Sequence, residues 1–144
     1  MLSGEYRHNI DTKNRLFVPS KHREELGEAL KVARSSRDSC LRIYSVSSWD
    51  AYCMKVKEKL DGMDAEKVLR FLNRNAESVE PDSQGRITVP SSLLEYAGVS
   101  REKREVVIVG CGEYAEIWSA GNYDALIDEE NADTISALLA ARGM

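Results

Sequence analysis

Apolar and polar positions alternate in two short runs that each end at a proline. Leu16 and Val18 flank Phe17 ahead of Pro19, and Ile87 and Val89 flank Thr88 ahead of Pro90. Period-two alternation predicts a strand, and proline stops it because it has no N–H for the ladder. Further strands are predicted at Leu30–Ala33 and Cys40–Tyr44. Their counterparts are Val106–Val109 and Tyr114–Trp118, joined through Gly110-Cys111-Gly112. Short helices are expected at Ser20–Leu26 and Ser91–Ala97, with serine as N-cap and Gly27 and Gly98 at the C-terminal ends. Ser47-Ser48 can cap a helix to about Leu60, with Trp49, Tyr52, Cys53, Val56 and Leu60 on its buried face. Helices are also expected over Ala65–Asn75 and Thr134–Arg142, the last apolar at Ile135, Leu138 and Leu139.

The pattern occurs twice. Asp11-Thr12-Lys13-Asn14-Arg15-Leu16-Phe17-Val18-Pro19-Ser20 matches Asp82-Ser83-Gln84-Gly85-Arg86-Ile87-Thr88-Val89-Pro90-Ser91 at an offset of 71. Ile43-Tyr44-Ser45 matches Ile117-Trp118-Ser119, and Trp49-Asp50-Ala51 matches Tyr123-Asp124-Ala125, at an offset of 74. Two blocks in the same order point to an internal duplication. Four segments follow: a first unit over 5–47, a helical connection over 48–75, a second unit over 76–119 and a helical C-terminal segment over 120–144. Within each unit, Asp-x-x-x-Arg is turn chemistry. Asp bonds its own backbone two residues on, Gly85 takes a positive φ freely, and Asn14 is the next most tolerant residue there.

One half offers about four short strands and little helix, so its edges stay unpaired alone. Two halves can pair edges and bury a shared interior. The expected fold class is therefore α+β, two half-barrel units intertwined into one pseudo-two-fold β-barrel with flanking short helices.

Composition narrows the function. The 144 residues are one domain by length, 42% hydrophobic and 31% charged, which reads as globular. No apolar run reaches membrane-spanning length, and Met1–His8 lacks a secretory apolar stretch, so the expected compartment is the cytoplasm. Three cysteines, Cys40, Cys53 and Cys111, make no disulfide framework. His8 and His22 are too sparse for a metal site, and no nucleophile elbow, phosphate loop or dinucleotide fingerprint is present. No metal, cofactor, small-molecule substrate or catalytic activity is expected. Net charge is −4, but Arg7, Lys13, Arg15, Lys21 and Arg23 face only Asp11 in their stretch. Between Asn122 and Asp133, five carboxylates face no base. An acidic chain can still bind phosphate if its bases share a face.

The paired signature, Asp11-x-Lys13-x-Arg15-x3-Pro19 and Asp82-x-Gln84-Gly85-Arg86-x3-Pro90, resembles that of the MraZ family. The resemblance extends to Gly4-x-Tyr6-x-His8-x-x-Asp11 and to Glu116-Ile117-Trp118. It implies two tandem SpoVT/AbrB-like swapped-hairpin units and a closed ring of subunits. It also implies binding to direct repeats in double-stranded promoter DNA, with repression of the chain's own division and cell-wall operon, and hence association with the nucleoid. Carried over, DNA contact falls on Arg15 and Arg86, with Lys13 beside Arg15. Asn14 departs from the glycine the family usually has.

These residue types suit DNA. Arginine's planar donor fork matches guanine O6 and N7 or a phosphate, and lysine supplies a point charge. The expectation is that Arg15 or Arg86 reads a base edge while Lys13, Arg7, Lys21 and Arg23 position the backbone. Two other classes compete: an AbrB-like antitoxin, and a ring-forming structural protein indifferent to DNA.

Overall fold

In the computed structural model, which describes residues 1–144, the first half runs β1 (Glu5–Asn9), β2 (Arg15–Phe17), α1 (Ser20–Leu26), β3 (Leu30–Arg34), β4 (Leu41–Ser45), α2 (Val46–Lys59) and α3 (Gly62–Arg74). The second half repeats that order: β5 (Ala76–Val79), β6 (Arg86–Thr88), α4 (Ser91–Tyr96), β7 (Glu105–Gly110), β8 (Ala115–Ser119), α5 (Ala120–Glu129) and α6 (Ala132–Ala140). The duplication read from sequence is thus a duplication of architecture.

Local chemistry repeats as well. Ser45 caps α2 by accepting from the Ser48 backbone N–H, and Ser119 caps α5 by accepting from Asn122. Asp61 and Asn131 do the same for α3 and α6. These side chains satisfy backbone donors that the first helical turn leaves free. Two capping expectations are corrected. Ser20 and Ser91 are the first helical residues, and the N-cap positions belong to Pro19 and Pro90, with no side-chain cap. Proline's fixed φ, −52° and −56° here, directs the chain out of the strand and into the helix. Likewise α2 starts at Val46, before Ser47-Ser48, and Leu60 at its end is exposed rather than buried.

The sheet shows how the halves join. Six antiparallel strands lie in the order β1-β7-β8-β4-β3-β5, and β2 pairs with β6 in a separate two-stranded ribbon. Replacing each strand by its repeat mate gives the same order read from the other edge. Each half's first strand adds to the other half's hairpin: β1 pairs with β7, and β5 with β3. At the middle, Arg42 on β4 faces Glu116 on β8. Strand pairing does not close this sheet into a barrel as expected. β1 and β5 are opposite edges, and the ribbon hydrogen-bonds to neither as a strand. Side chains, rather than a continuous ladder, complete the enclosure.

Leu16, Val18, Ile87 and Val89 of the ribbon segments are fully buried against Val32, Ile43, Ile108 and Ile117 of the sheet. The neighbouring strand residues point to the opposite face, as a period of two requires. There Ala33 and Tyr44 pack with Trp49, Val56 and Leu72 of α2 and α3, while Val107 and Trp118 pack with Tyr123 of α5. No helix is long and apolar enough to cross a membrane.

Candidate nucleic-acid interface

Two loops of nearly identical construction leave the ends of the β2–β6 ribbon. In the first, Asp11 Oδ1 accepts from the backbone N–H groups of Lys13 (2.9 Å) and Arg15 (2.8 Å). Its Oδ2 accepts from Arg15 Nε at 2.7 Å. In the second, Asp82 Oδ1 accepts from Gln84 N (2.9 Å) and Arg86 N (2.9 Å), and Oδ2 from Arg86 Nε at 2.9 Å. The turns need a positive φ at their fourth residue, supplied by Asn14 (60°) and Gly85 (79°). Asn14 thus occupies the position a glycine fills in the other copy.

Each aspartate is held below the ordinary carboxylate value of 3.8. The main cause is the backbone hydrogen bond from its arginine, reinforced by the side-chain bond from the same residue and the second backbone donor. Both remain ionised at neutral pH. The structural role of Asp11 and Asp82 and a ligand-facing role for the arginines are therefore compatible. Nε is spent on the loop, while the Nη groups of Arg15 and Arg86 have no partner inside the chain. Side-chain exposure is 30% and 28%.

The ribbon fixes the relation between the loops. Leu16 opposes Ile87 and points inward, so Arg15, Phe17, Arg86 and Thr88 line the outer face. Arg15 opposes Thr88 and Phe17 opposes Arg86, which makes the arginines diagonal neighbours, roughly 7–8 Å apart by ladder geometry. Two reciprocal bonds, Val18 N to Gly85 O (3.0 Å) and Val89 N to Asn14 O (2.9 Å), tie each loop to the other strand. The paired arginines therefore sit on a rigid base.

The remaining predicted residues divide. Lys13 is exposed on the first loop, where its repeat mate is the uncharged Gln84. Arg23 reaches from α1 to the second loop. Its Nε donates to Val18 O at 2.9 Å, its guanidinium lies 5.4 Å from the Phe17 ring, and it covers Gly85 closely. Lys21 is exposed on α1 with no partner inside the chain. Arg7 lies on the outer surface of β1 and is bound by Asp124 (2.7 Å) and Glu105 (3.3 Å). It is not brought to the ribbon with the others.

Sequence reasoning missed Arg104. Its Nη2 donates to Asp11 O (2.5 Å) and Asn14 Oδ1 (3.0 Å), and its Nε to Ile10 O (3.3 Å). Asn14 also donates to Ser91 Oγ at 3.1 Å. Arg104 precedes β7, in a connection that the repeat does not preserve, so no motif marked it. His22 is buried, with Nε2 at 2.8 Å from Ser3 O and its ring edge-on to Tyr6. Cys40 is buried as well, and its thiol is pushed up to about 12 by burial and the nearby Glu116 carboxylate.

A family model described as "MraZ protein, putative antitoxin-like" matches the chain twice, over residues 1–71 and 72–142. A protein of Caldicellulosiruptor bescii called transcriptional regulator MraZ is 41% identical over 132 residues, covering 91% of this chain and 90% of its own. Proteins of the same name from Halothermothrix orenii and Clostridium tetani are 36% and 38% identical. They cover 100% and 96% of this chain, and 100% and 99% of their own lengths. With both repeats matched and relatives aligned over nine-tenths or more of their length, the chain belongs to the MraZ family.

Proposed function

We propose that this chain is a transcriptional regulator that binds promoter DNA through the two Asp–Arg loops of units 5–47 and 76–119. The observation that carries this reading is the pair of arginines on the outer face of one ribbon. Each is anchored through Nε and presents free Nη donors. Such a fork can bond guanine O6 and N7 in the major groove, which admits a two-stranded β-ribbon. Lys13 and Lys21 supply charge for phosphate, and Arg23 braces the second loop while keeping a cation beside it. The name the relatives share, transcriptional regulator MraZ, supports the regulatory role. We further assign direct repeats as the operator, repression of its own division and cell-wall operon as the effect, and the nucleoid as the working location.

One loop pair makes few contacts, so affinity must come from several units on one DNA. A closed homo-oligomeric ring supplies them through head-to-tail contacts. The apolar residues of α6 are available for such contacts. Ile135, Leu138 and Leu139 are 42%, 63% and 42% exposed, and no residue of that helix is buried. We expect light scattering to give one discrete mass of several subunits for the native chain, and a smaller species for Leu138→Glu with Leu139→Glu. A native monomer would remove the ring.

The test of DNA binding is fluorescence anisotropy with a duplex from upstream of the chain's own gene and a scrambled duplex, at several salt concentrations. Specific binding to the first, abolished in Arg15→Ala with Arg86→Ala, is expected. Each lost bidentate base contact should cost about 1–3 kcal/mol. Equal, weak, salt-sensitive binding to both duplexes would reduce the reading to general phosphate affinity. Absence of binding at low salt would return the choice to an antitoxin or a structural ring.

A further inference from the structure

The two loops share a design, but their surroundings do not. Arg101 and Arg104 line the cleft beside the first loop, together with Ser91, Ser100 and Asn14. With Lys13 and Arg15 on the loop itself, four cations gather there against the single carboxylate of Asp11. Glu28, Glu80 and Asp82 line the corresponding cleft beside the second loop, with Arg23. Counting Arg86, two cations there meet three carboxylates.

Strand register shows how the difference is built. Ser45 pairs with Leu30, and its repeat mate Ser119 pairs with Val106, so Arg104 corresponds to Glu28. The connection before β7 is longer than that before β3, and its extra residues carry Arg101 to the cleft. Arg104 spends its donors on Ile10, Asp11, Asn14 and Ser100, and so holds the loop. Arg101 is exposed and makes no hydrogen bond inside the chain, so its charge is free. Glu102, Lys103 and Glu105 line a separate cleft on the other side of Arg104, where Glu102 and Lys103 offset each other and Glu105 is paired with Arg7.

We propose that the two loops are unequal DNA contacts. The first is dominant, its phosphate track continues over Arg101, and the second is weakened by Glu28 and Glu80. This rests on the DNA reading above and adds a direction to it. Loops related by an exact two-fold would bind a duplex equally in either orientation, whereas unequal loops fix one. A carboxylate facing a phosphate raises the cost of close approach, while each added cation releases a counterion.

The experiment compares Arg15→Ala, Arg86→Ala and Arg101→Ala, each as the full chain, on a fluorescein-labelled duplex from upstream of its own gene. Arg15→Ala should weaken binding ~10-fold more than Arg86→Ala. Arg101→Ala should reduce the slope of log affinity against log salt by roughly 0.9, with circular dichroism unchanged. Equal losses for Arg15→Ala and Arg86→Ala would overturn the inequality while leaving the DNA reading in place. An unchanged salt slope for Arg101→Ala would remove that residue from the track. A native chain that binds no duplex at low salt would remove both the DNA reading and this inference.

Discussion

Ile87→Ala is expected to lower the unfolding free energy by about 2–5 kcal/mol, a large share of the margin of a small domain. Ile87 is fully buried, opposes Leu16 at the centre of the ribbon, and packs in the cluster that holds Ile43, Ile108 and Ile117. Truncation removes apolar contact and leaves a cavity. Two β-strands of three residues, Arg15–Phe17 and Arg86–Thr88, cannot reposition the backbone to fill it. Urea denaturation should show an earlier midpoint with little change in slope. Thr88→Ala, one residue on and pointing outward, should change stability by less than about 0.5 kcal/mol. A similar loss at both positions would mean that the ribbon does not rest on the core. Because the ribbon carries both loops, the proposed DNA-binding role predicts that its loss of rigidity also appears in DNA affinity before global unfolding.

Much of this arrangement is legible from punctuation in the chain. Asp, a residue that tolerates positive φ, Arg and then Pro fix a turn, a short strand and a stop through local chemistry alone. Asn14 at φ 60° and Gly85 at φ 79° adopt the conformation their residue types predict, and α1 spans Ser20–Leu26 as read. Closure of the sheet was not legible, because edge pairing depends on the curvature of six strands at once. Helix capping departs from the sequence pattern where two mechanisms compete. Serine beside proline satisfies the capping preference, but the proline backbone had already set the turn. Arg7 illustrates the limit for charges. Its partners, Glu105 and Asp124, lie 98 and 117 residues away in sequence, so a local count of bases could not assign it. Arg104 was missed for the opposite reason, since its role exists in one copy only and a repeat reveals what is shared.

Glu116→Arg is the second substitution expected to have a large effect, about 3–5 kcal/mol of destabilisation. Arg42 and Glu116 are repeat mates that face each other at the centre of the sheet, with Nε and Oε2 3.9 Å apart and each side chain 13% exposed. At the midline of a duplicated fold, identical residues would meet themselves. Two like charges there would be driven together with little water to screen them, whereas an Arg–Glu pair attracts. The surroundings favour each charge as placed. Arg42 donates to Tyr44 OH and lies 4.2 Å from the Tyr114 ring centre, while Glu116 accepts from Trp118 Nε1 at 3.0 Å. Glu116→Gln keeps the shape and an acceptor for Trp118 but leaves Arg42 without its counter-charge, so a smaller loss, about 1–3 kcal/mol, is expected. Combining Glu116→Arg with Arg42→Glu restores opposite charges and should recover part of the stability. The coupling is measured as a double-mutant cycle from urea midpoints. Additive losses would mean that the pair does not interact and that divergence of the two halves at their midline carries no electrostatic consequence.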